Sequence, residues 1–200
     1  MGIILMAEYT AAPDTRTALI EAAIALLQSG GMAALTLRQA AAKAGVSHAA
    51  PAHHFDGLPG LLTATAARAF RLFTAAMTKA RDAAPPDPRA QLLAVGQGYL
   101  TFARDHAGLF QLMFNSPALC RDDAELTQAS AAAYAVLRAA CAPFVAADPR
   151  ALETAVWALV HGFAALSPAP AEIACTEGRA APTFEALLWP LVDGFANSSR

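Results

Sequence analysis

The feature that most constrains the fold of this chain is a pair of short helix signals joined by a glycine. The segment Thr36-Leu37-Arg38-Gln39 is a capping-box pattern, in which the Thr hydroxyl and the Gln side chain satisfy backbone N–H groups at a helix start. Gly45 ends that helix, and Val46-Ser47 supplies an apolar residue and a new N-cap for a second helix that runs to about His53. Two short helices joined through a glycine turn form the helix-turn-helix pattern.

The rest of the chain is also predicted to be helical. Of its 200 residues, 53 are alanine and 24 are leucine, whereas valine and isoleucine together number only 12. Half-buried strands prefer β-branched residues, and alanine favours helix, so a fold rich in sheet is disfavoured. The 56% of apolar residues argues against disorder. We therefore predict an all-α protein.

Helix boundaries follow from caps and apolar spacing. Asp14 is the predicted N-cap of a first helix, in which Ile20, Ile24 and Leu27 share one face and which ends at Gly30-Gly31. A proline-rich segment at 83–88 is the clearest boundary further along. The other predicted helices are Pro59 to about Ala83, a stripe from Leu92 to Phe102, Leu109 to Phe114, Leu126 to about Val145, one opened by Pro149, and one from Phe184 to Phe195 with a kink at Pro190.

The charge of the chain is divided unevenly. Its net charge is −2, but residues 1–81 carry seven bases against four acids, and residues 82–200 carry seven bases against twelve acids. The first part is therefore net positive and the second net negative, as expected if only the first part meets a polyanion. The surplus of three positive charges is modest, and many enzymes carry as much.

Cysteine usage and hydropathy indicate the compartment. Cys120, Cys141 and Cys175 are odd in number and widely spaced, which fits a reducing cytosol better than a secreted disulfide scaffold. The apolar opening at 1–6 lacks a basic n-region and is predicted to be a disordered leader. The uncharged stretch at 154–171 contains two prolines, so a buried helix and a turn explain it better than a membrane span. We expect a cytoplasmic protein.

A helix-turn-helix places the N-terminal part of its second helix in the major groove of DNA. Thr36 and Arg38 could grip a phosphate at the start of the first helix, while Ser47, His48 and His53 could bind phosphates or base edges. The alternative is that these are merely two packed helices of a bundle. We expect no metal site, because adjacent histidines diverge by about 100° on a helix and no further ligand completes a tetrahedron.

The same segment resembles the DNA-binding domain of the TetR/AcrR family of transcriptional repressors. The resemblance rests on Leu35 to Phe55 followed by Leu61-Leu62, with a threonine before the first helix, Ala-Gly-Val-Ser at the turn and His-Phe at the end. In the second half, Trp157 with His161-Gly162 resembles the WHG type of TetR C-terminal domain. Matches to that type also occur at Tyr99, Phe102-Ala103 and Leu112-Met113-Phe114.

The resemblance implies a homodimer with a three-helix DNA-binding domain over residues 14–58 and a ligand-binding and dimerisation domain over 59–196. A small molecule bound in the second domain would move the fourth helix and change the separation of the two recognition helices, which relieves repression of a palindromic operator. The residues expected to contact double-stranded DNA are Thr36, Leu37, Arg38, Ser47, His48, Ala49, His53 and His54.

Two positions depart from the family pattern. Ala52 stands where the family usually has a tyrosine shortly before the His-Phe pair, and Leu58 stands where it usually has a lysine that grips a phosphate. Each lost phosphate contact weakens binding and flattens its dependence on salt. We therefore predict lowered DNA affinity, and we keep as an alternative a ligand-sensing or protein-interaction module that no longer binds DNA.

Aromatic residues and methionines of the second half are candidates for the ligand pocket, because they give adaptable apolar contacts. They predict an apolar effector, although most of them could equally be core residues. The candidates are Phe102, Phe110, Met113, Phe114, Trp157, His161 and Phe163. The helices that begin near Pro149 and Thr183 are the predicted dimer interface, because their apolar stripes exceed what one monomer need bury.

An enzyme built on a helical bundle is the remaining class. The sequence has no Gly-x-Ser-x-Gly elbow, no phosphate-binding glycine loop, no Cys-x-x-Cys and no Glu-x-x-His pair. We therefore predict that the chain is not an enzyme and needs no cofactor.

Overall fold

The computed structural model describes residues 14–166 and 182–197, and over these ranges it contains α-helices, one 3₁₀ turn and no strand. The predicted leader and Cys175 lie outside the described residues. The all-α prediction is confirmed. The helices are α1 (Thr15–Gly30), α2 (Leu37–Ala44), α3 (Ala50–His54), α4 (Gly57–Ala83), α5 (Pro88–Asp105), α6 (Ala107–Asn115), α7 (Ala124–Cys141), α8 (Pro149–Leu166) and α9 (Phe184–Asn197).

In the first three helices, which we call the head, α1 and α2 begin and end at the predicted capping residues. The Asp14 side chain accepts a hydrogen bond from the Thr17 N–H at 2.7 Å, and α1 ends at Gly30, followed by the C-cap residue Gly31, whose φ is 63°. Thr36 caps α2 through the Gln39 N–H at 3.1 Å, and its own hydroxyl donates to Gln39 Oε1 at 2.8 Å. Gly45 then turns the chain in the left-handed region, at φ 70°.

The recognition helix is shorter than predicted. Ser47 is the expected N-cap, but α3 has Ala49 at that position and no side-chain cap. Residues 47–50 instead form a turn closed by a 3.0 Å hydrogen bond from the Ala50 N–H to the Ser47 carbonyl. Pro51 has no N–H to give to a helical ladder, so it is accepted only in the first turn, and the helix therefore begins late.

Helix α4 is the central element, because it packs against the head and most extensively against α5 and α7. One face is fully buried, from Leu61 through Phe73 to Met77. The helix begins two residues earlier than predicted, at Gly57 rather than Pro59. It joins the head to α5–α9, which we call the body.

The body's α7 ends at Cys141 rather than near Val145, because Pro143 has no N–H to continue the helical hydrogen bonds.

The head also rests directly on the body through α6. A Cβ at Gly108 would overlap the Leu27 carbonyl oxygen of α1, so this close approach requires glycine. Beside it, Gln28 Nε2 and His106 Nδ1 are hydrogen-bonded at 2.9 Å. The two contacts fix the position of α1 on the body.

Helices α8 and α9 pack on the body with much of their predicted apolar stripes buried inside the chain. Leu152, Val156, Val160, Phe184 and Leu188 are all buried without a second copy. These residues therefore do not exceed what one monomer buries, and the prediction is wrong for them. The reason is that α8 packs against α5 and α7, and α9 packs against α8.

A charged contact joins α5 to α9. Arg89 of α5 forms a two-pronged ion pair with Asp193 of α9, at 2.9 and 3.2 Å, and its guanidinium lies 4.2 Å from the centre of the Trp189 ring. Pro190 lies inside α9, as predicted. None of the described helices combines the length and the apolar character that a membrane crossing needs.

Candidate DNA interface and ligand cavity

The outer surface of the helix-turn-helix consists mainly of the residues predicted to contact DNA. Pro51 and Phe55 point inward and are buried, and Val46 packs partly against the core. Leu37 also packs partly against the core, so its side chain is the one predicted DNA contact that faces inward. The predicted contact residues with exposed side chains are Thr36, Arg38, Ser47, His48, Ala49, His53 and His54.

The positive charges of this surface are available to a ligand. Arg38 and Lys43 are exposed, and neither forms an ion pair with a carboxylate of the described residues. By contrast, Arg68 is paired with Glu21 at 2.8 Å. Arg38 lies in the first turn of α2 and Lys43 in its last turn. Unpaired guanidinium and ammonium groups are suited to DNA phosphates.

The two departures from the family pattern differ in their surroundings. Ala52 is exposed on α3, where a larger side chain would project into solvent. Leu58 is half-buried and packs against the core of the head. A lysine at position 58 would therefore replace a packing residue, whereas a tyrosine at position 52 would only be added to the surface.

The body contains a cavity of about 370 Å³. This volume lies at the lower end of the range for small-molecule sites. It is formed between α4, α5, α6, α7 and α8. The lining residues are Phe70, Phe73, Met77, Tyr99, Met113, Phe114, Arg121, Ser130, Ala133, Tyr134, Leu137 and Trp157.

Three of the predicted pocket residues, Met113, Phe114 and Trp157, line this cavity. Phe102 and Phe110 are buried in the aromatic cluster behind it, where the ring centre of Phe102 lies 5.1 Å from that of Phe73. Phe163 lies away from the cavity, 5.9 Å from the Phe184 ring.

His161 lies beside the cavity and is bonded to one of its walls. Its Nδ1 is 2.7 Å from the Tyr99 hydroxyl oxygen, and its ring centre is 4.9 Å from that of Phe114. Burial lowers the pKa of His161, which favours the neutral imidazole. Burial also raises the pKa of the Tyr99 hydroxyl, and the neighbouring Trp157 side chain opposes only part of that effect. The pair is a neutral hydrogen-bonded unit.

Sequence reasoning missed the wall that α7 contributes. This wall consists of four residues with the i, i+3, i+4, i+7 spacing of one helix face, namely Ser130, Ala133, Tyr134 and Leu137. That spacing could have indicated that the four side chains line the same surface. The alanine-rich context hid this signal. Arg121 comes from the loop before α7, and no periodicity could have placed it in the wall.

A shared carboxylate links the head to the wall of the cavity. Glu125, in the first turn of α7, accepts from Arg16 of α1 at 2.8 Å and from Arg71 of α4 at 2.7 Å. Burial raises the pKa of Glu125, but the hydrogen bonds from Arg71 and Arg16 outweigh it and hold the pKa below its ordinary value. The Arg16 guanidinium also lies 5.7 Å from the centre of the Phe55 ring at the end of α3. We call this group the Glu125 cluster.

Metal-binding chemistry finds no support in the part of the chain that the structure describes. There, no three His, Cys, Asp or Glu side chains are grouped so that they could hold an ion. Cys141 is buried, and burial raises the pKa of its thiol to about 12. At neutral pH this thiol is therefore protonated, and Cys141 acts as a packing residue.

An exposed helix-turn-helix on an all-helical body is the architecture of the class of DNA-binding regulators. Comparison with known proteins agrees with this class. Residues 19–65 match the family model of bacterial regulatory proteins of the tetR family, and residues 92–188 match the tetracyclin repressor-like C-terminal domain. Together the two matches cover well over half of the chain. The chain belongs to the TetR family of transcriptional regulators and is not classed with enzymes.

The sequence relatives match over less than half of the chain. The HTH-type transcriptional regulator BetI of Paraburkholderia phymatum is 36% identical over 80 residues, which cover 40% of this chain and 41% of that protein. BetI of Burkholderia mallei is 38% identical over 80 residues, with the same coverage. The match thus also spans less than half the length of these relatives.

Solved structures match along nearly the whole chain. A protein of unknown function from Rhodococcus sp. RHA1 has a TM-score of 0.72 and 27% identity, and the match covers 96% of this chain and 98% of that one. The TetR family transcriptional regulator PfmR from Thermus thermophilus has a TM-score of 0.57 and 18% identity, with 90% and 97% coverage. The fatty acid degradation regulator FadR from Bacillus halodurans has a TM-score of 0.61 and 12% identity, with 93% and 96% coverage.

Proposed function

We propose that the chain is a ligand-responsive repressor that binds a palindromic DNA operator as a homodimer in the cytosol. Residues 14–58 form its DNA-binding domain, and residues 59–196 form its ligand-binding and dimerisation domain. The observation that carries this proposal is the exposed surface of the turn and α3, where His48, Ala49 and His53 face outward around the buried Pro51 and Phe55. That arrangement leaves α3 accessible to a major groove.

Phosphate contacts would hold the head in register on the duplex. Arg38 and Lys43 on α2, which have no carboxylate partner among the described residues, are the groups suited to this role. Thr36 would add a hydroxyl at the N-terminus of α2, where the helix dipole favours an anion. Base contacts would come from Ser47, His48 and Ala49.

The dimer interface of this proposal is the outward face of α8 and α9. After Glu153, α8 carries no charged residue up to its end at Leu166. Ala158 and Ala165 are exposed on this helix, Leu166 is 65% exposed, and Leu187 on α9 is 37% exposed. The part of α8 after Glu153 thus presents small and apolar side chains without charge, and such a face is suited to a second copy of itself.

The dimer is tested by sedimentation at micromolar concentration. We expect the wild-type chain to sediment as a dimer. Ala158→Arg should sediment as a monomer, because it buries an unpaired charge in the interface. Ala131→Arg is the matched control, since Ala131 is an exposed alanine on α7. A monomeric wild-type chain, or a dimeric Ala158→Arg variant, would remove this interface.

Effector binding in the cavity would release DNA by a geometric effect. Two heads must read half-sites about one helical turn or a multiple apart, so a small change in their separation weakens both sets of contacts at once. The route available for that change is α4, which lines the cavity with Phe70, Phe73 and Met77 and which begins next to the head.

Selection of bound duplexes from a random pool tests the DNA-binding part of the proposal. We expect enrichment of a two-fold symmetric site whose half-sites lie about 10 base pairs, or a multiple, apart centre to centre. Enrichment of no sequence would favour the alternative, a sensing or protein-interaction module of this fold, for which Ala52 and Leu58 give the specific reason.

A further inference from the structure

The charge in the wall of the cavity is of one sign. Among the described residues that line it, Arg121 is the only one with a charged side chain. The remaining wall is made of aromatic rings, aliphatic groups, two methionines and three hydroxyls. An apolar wall with a single cation favours a ligand that has an apolar body and one anionic group.

The Arg121 guanidinium has N–H donors left to bind such an anionic group. Its hydrogen bond from Nη2 to the Ser116 carbonyl is long, at 3.4 Å. No carboxylate of the described residues lies within ion-pair distance of it. The acidic neighbours in sequence are engaged elsewhere or exposed. Asp123 accepts from the Leu126 N–H, Glu125 binds two other arginines, and Asp122 is exposed and does not line the cavity.

The hydroxyl groups of the wall already have hydrogen-bond partners. Ser130 donates to the Thr127 carbonyl at 3.1 Å, and Tyr134 donates to Glu153 Oε2 at 3.1 Å. The Tyr99 hydroxyl is bonded to His161 Nδ1. The hydroxyl protons of Ser130 and Tyr134 are therefore used, the Tyr99 hydroxyl is engaged with His161, and the guanidinium is the charged donor that remains for a ligand.

We propose that the effector is an organic anion, with a carboxylate that pairs with Arg121 and an aromatic or branched apolar body that lies against Phe70, Phe114 and Trp157. A planar guanidinium can bind a carboxylate through two parallel hydrogen bonds. The exposed Arg121 would hold the charge near solvent, while the body of the ligand fills the interior. This inference rests on the proposed function for the role of effector, but the binding event itself is independent of DNA.

The test compares ligands that differ only in charge. The probes are 4-phenylbutyrate, its primary amide and the trimethylammonium analogue of equal chain length, together with naphthalene-2-carboxylate and its amide. Their dissociation constants are measured by isothermal titration calorimetry on the full chain. We expect each carboxylate to bind about 10-fold or more tightly than its amide, since a charge-assisted hydrogen bond is lost in the amide.

Variants assign this preference to one side chain. Arg121→Gln should bind the carboxylates and the amides equally, with the affinity for the amides unchanged. Arg121→Lys should keep part of the preference, because it retains the charge but not the two-pronged geometry. Arg138→Gln is the matched control, since Arg138 is exposed on α7 and does not line the cavity. It should leave every dissociation constant unchanged.

Three results would overturn the inference. They are equal or tighter binding of the trimethylammonium analogue, an Arg121→Gln variant that keeps the preference for carboxylates, and no carboxylate binding at millimolar concentration. The first and third results need no variant, so the test stands even if Arg121→Gln does not fold. DNA binding is measured separately on the selected duplex. Sequence-specific DNA binding without anion binding would reject this ligand class and leave the regulator in place.

Discussion

The burial of His161 beside Tyr99 predicts that the stability of the body depends on pH. His161 lies against the rings of Phe110, Phe114 and Trp157, so its charged form is poorly solvated there. Burial lowers its pKa below the ordinary value of 6.5. Protonation would also remove the lone pair with which Nδ1 can accept from the Tyr99 hydroxyl.

The sign of the pH effect follows from this shift. Between the lowered folded pKa and the unfolded value near 6.5, the unfolded chain binds more protons, so the free energy of unfolding decreases as the pH falls. The contribution of His161 is complete above about pH 6.5 and is lost as the pH falls through the folded pKa. Urea unfolding at a series of pH values from about 8 to 5 measures it.

Variants isolate His161 from the other histidines. His161→Asn places an oxygen near the position of Nδ1 but does not titrate, so its unfolding free energy should vary less with pH in this window. His53→Asn is the control, because His53 is exposed on α3, and its curve should parallel that of the wild type. Parallel curves for the wild type and His161→Asn would contradict this reading.

Arg38 is the residue on which the phosphate contacts of the head depend most in our proposal. Arg38→Gln should weaken binding to the selected duplex, with the same effect on related sequences. It should also lower the slope of log affinity against log salt by about 0.9, the value for one phosphate contact. Lys79→Gln is the control, since Lys79 is an exposed cation at the far end of α4 from the head. Unchanged affinity and slope in Arg38→Gln would exclude this contact.

At the scale of helices, the contact between α6 and α1 sets how the head sits on the body. Gly108→Ala should push α6 away from the Leu27 carbonyl and cost about 1–3 kcal/mol of unfolding free energy, the usual effect of overpacking. In Gly60→Ala the new Cβ would meet Phe55 at ordinary distances of 3.4 Å and more, so stability should hold or rise. Urea unfolding compares the two. Equal stability would show that α6 adapts at no cost.

The helices differ in how well the sequence predicts them, for physical reasons. Asp14, Thr36 and Gly45 act through local hydrogen bonds and dihedral angles, so their roles could be predicted from neighbours in the chain. The start of α3 was missed because a backbone turn at residues 47–50 replaces the expected serine cap. The cavity could be predicted only in part, since Arg121 and the face of α7 around Tyr134 reach it through tertiary packing.

For the whole molecule, the Glu125 cluster is a direct polar connection between the wall of the cavity and the head. Glu125 follows Arg121 by four residues and binds Arg16, whose guanidinium lies over Phe55 at the end of α3. A ligand that moves the start of α7 would therefore disturb a contact of the head. Both ion pairs are partly exposed, so we expect each to contribute little to stability.

The variant Glu125→Gln tests this connection. It should change the unfolding free energy by less than about 1 kcal/mol and leave effector affinity intact, but it should reduce the factor by which effector weakens DNA binding. Glu21→Gln is the control, because Glu21 pairs with Arg68 near the head without reaching α7. DNA titrations with and without effector give the factor. A factor equal to that of the wild type would remove the cluster from the route.

Titration of the selected duplex with the wild-type chain, at two salt concentrations, is the most direct test of whether the chain is a DNA-binding regulator. We expect sequence-specific binding of two chains per duplex, weaker at higher salt. Its affinity is expected to be modest, and its salt slope shallow, because Ala52 and Leu58 replace two phosphate-binding side chains. Binding that does not distinguish the selected duplex from random DNA would contradict the regulator. Subnanomolar affinity with a steep slope would contradict the weakened interface.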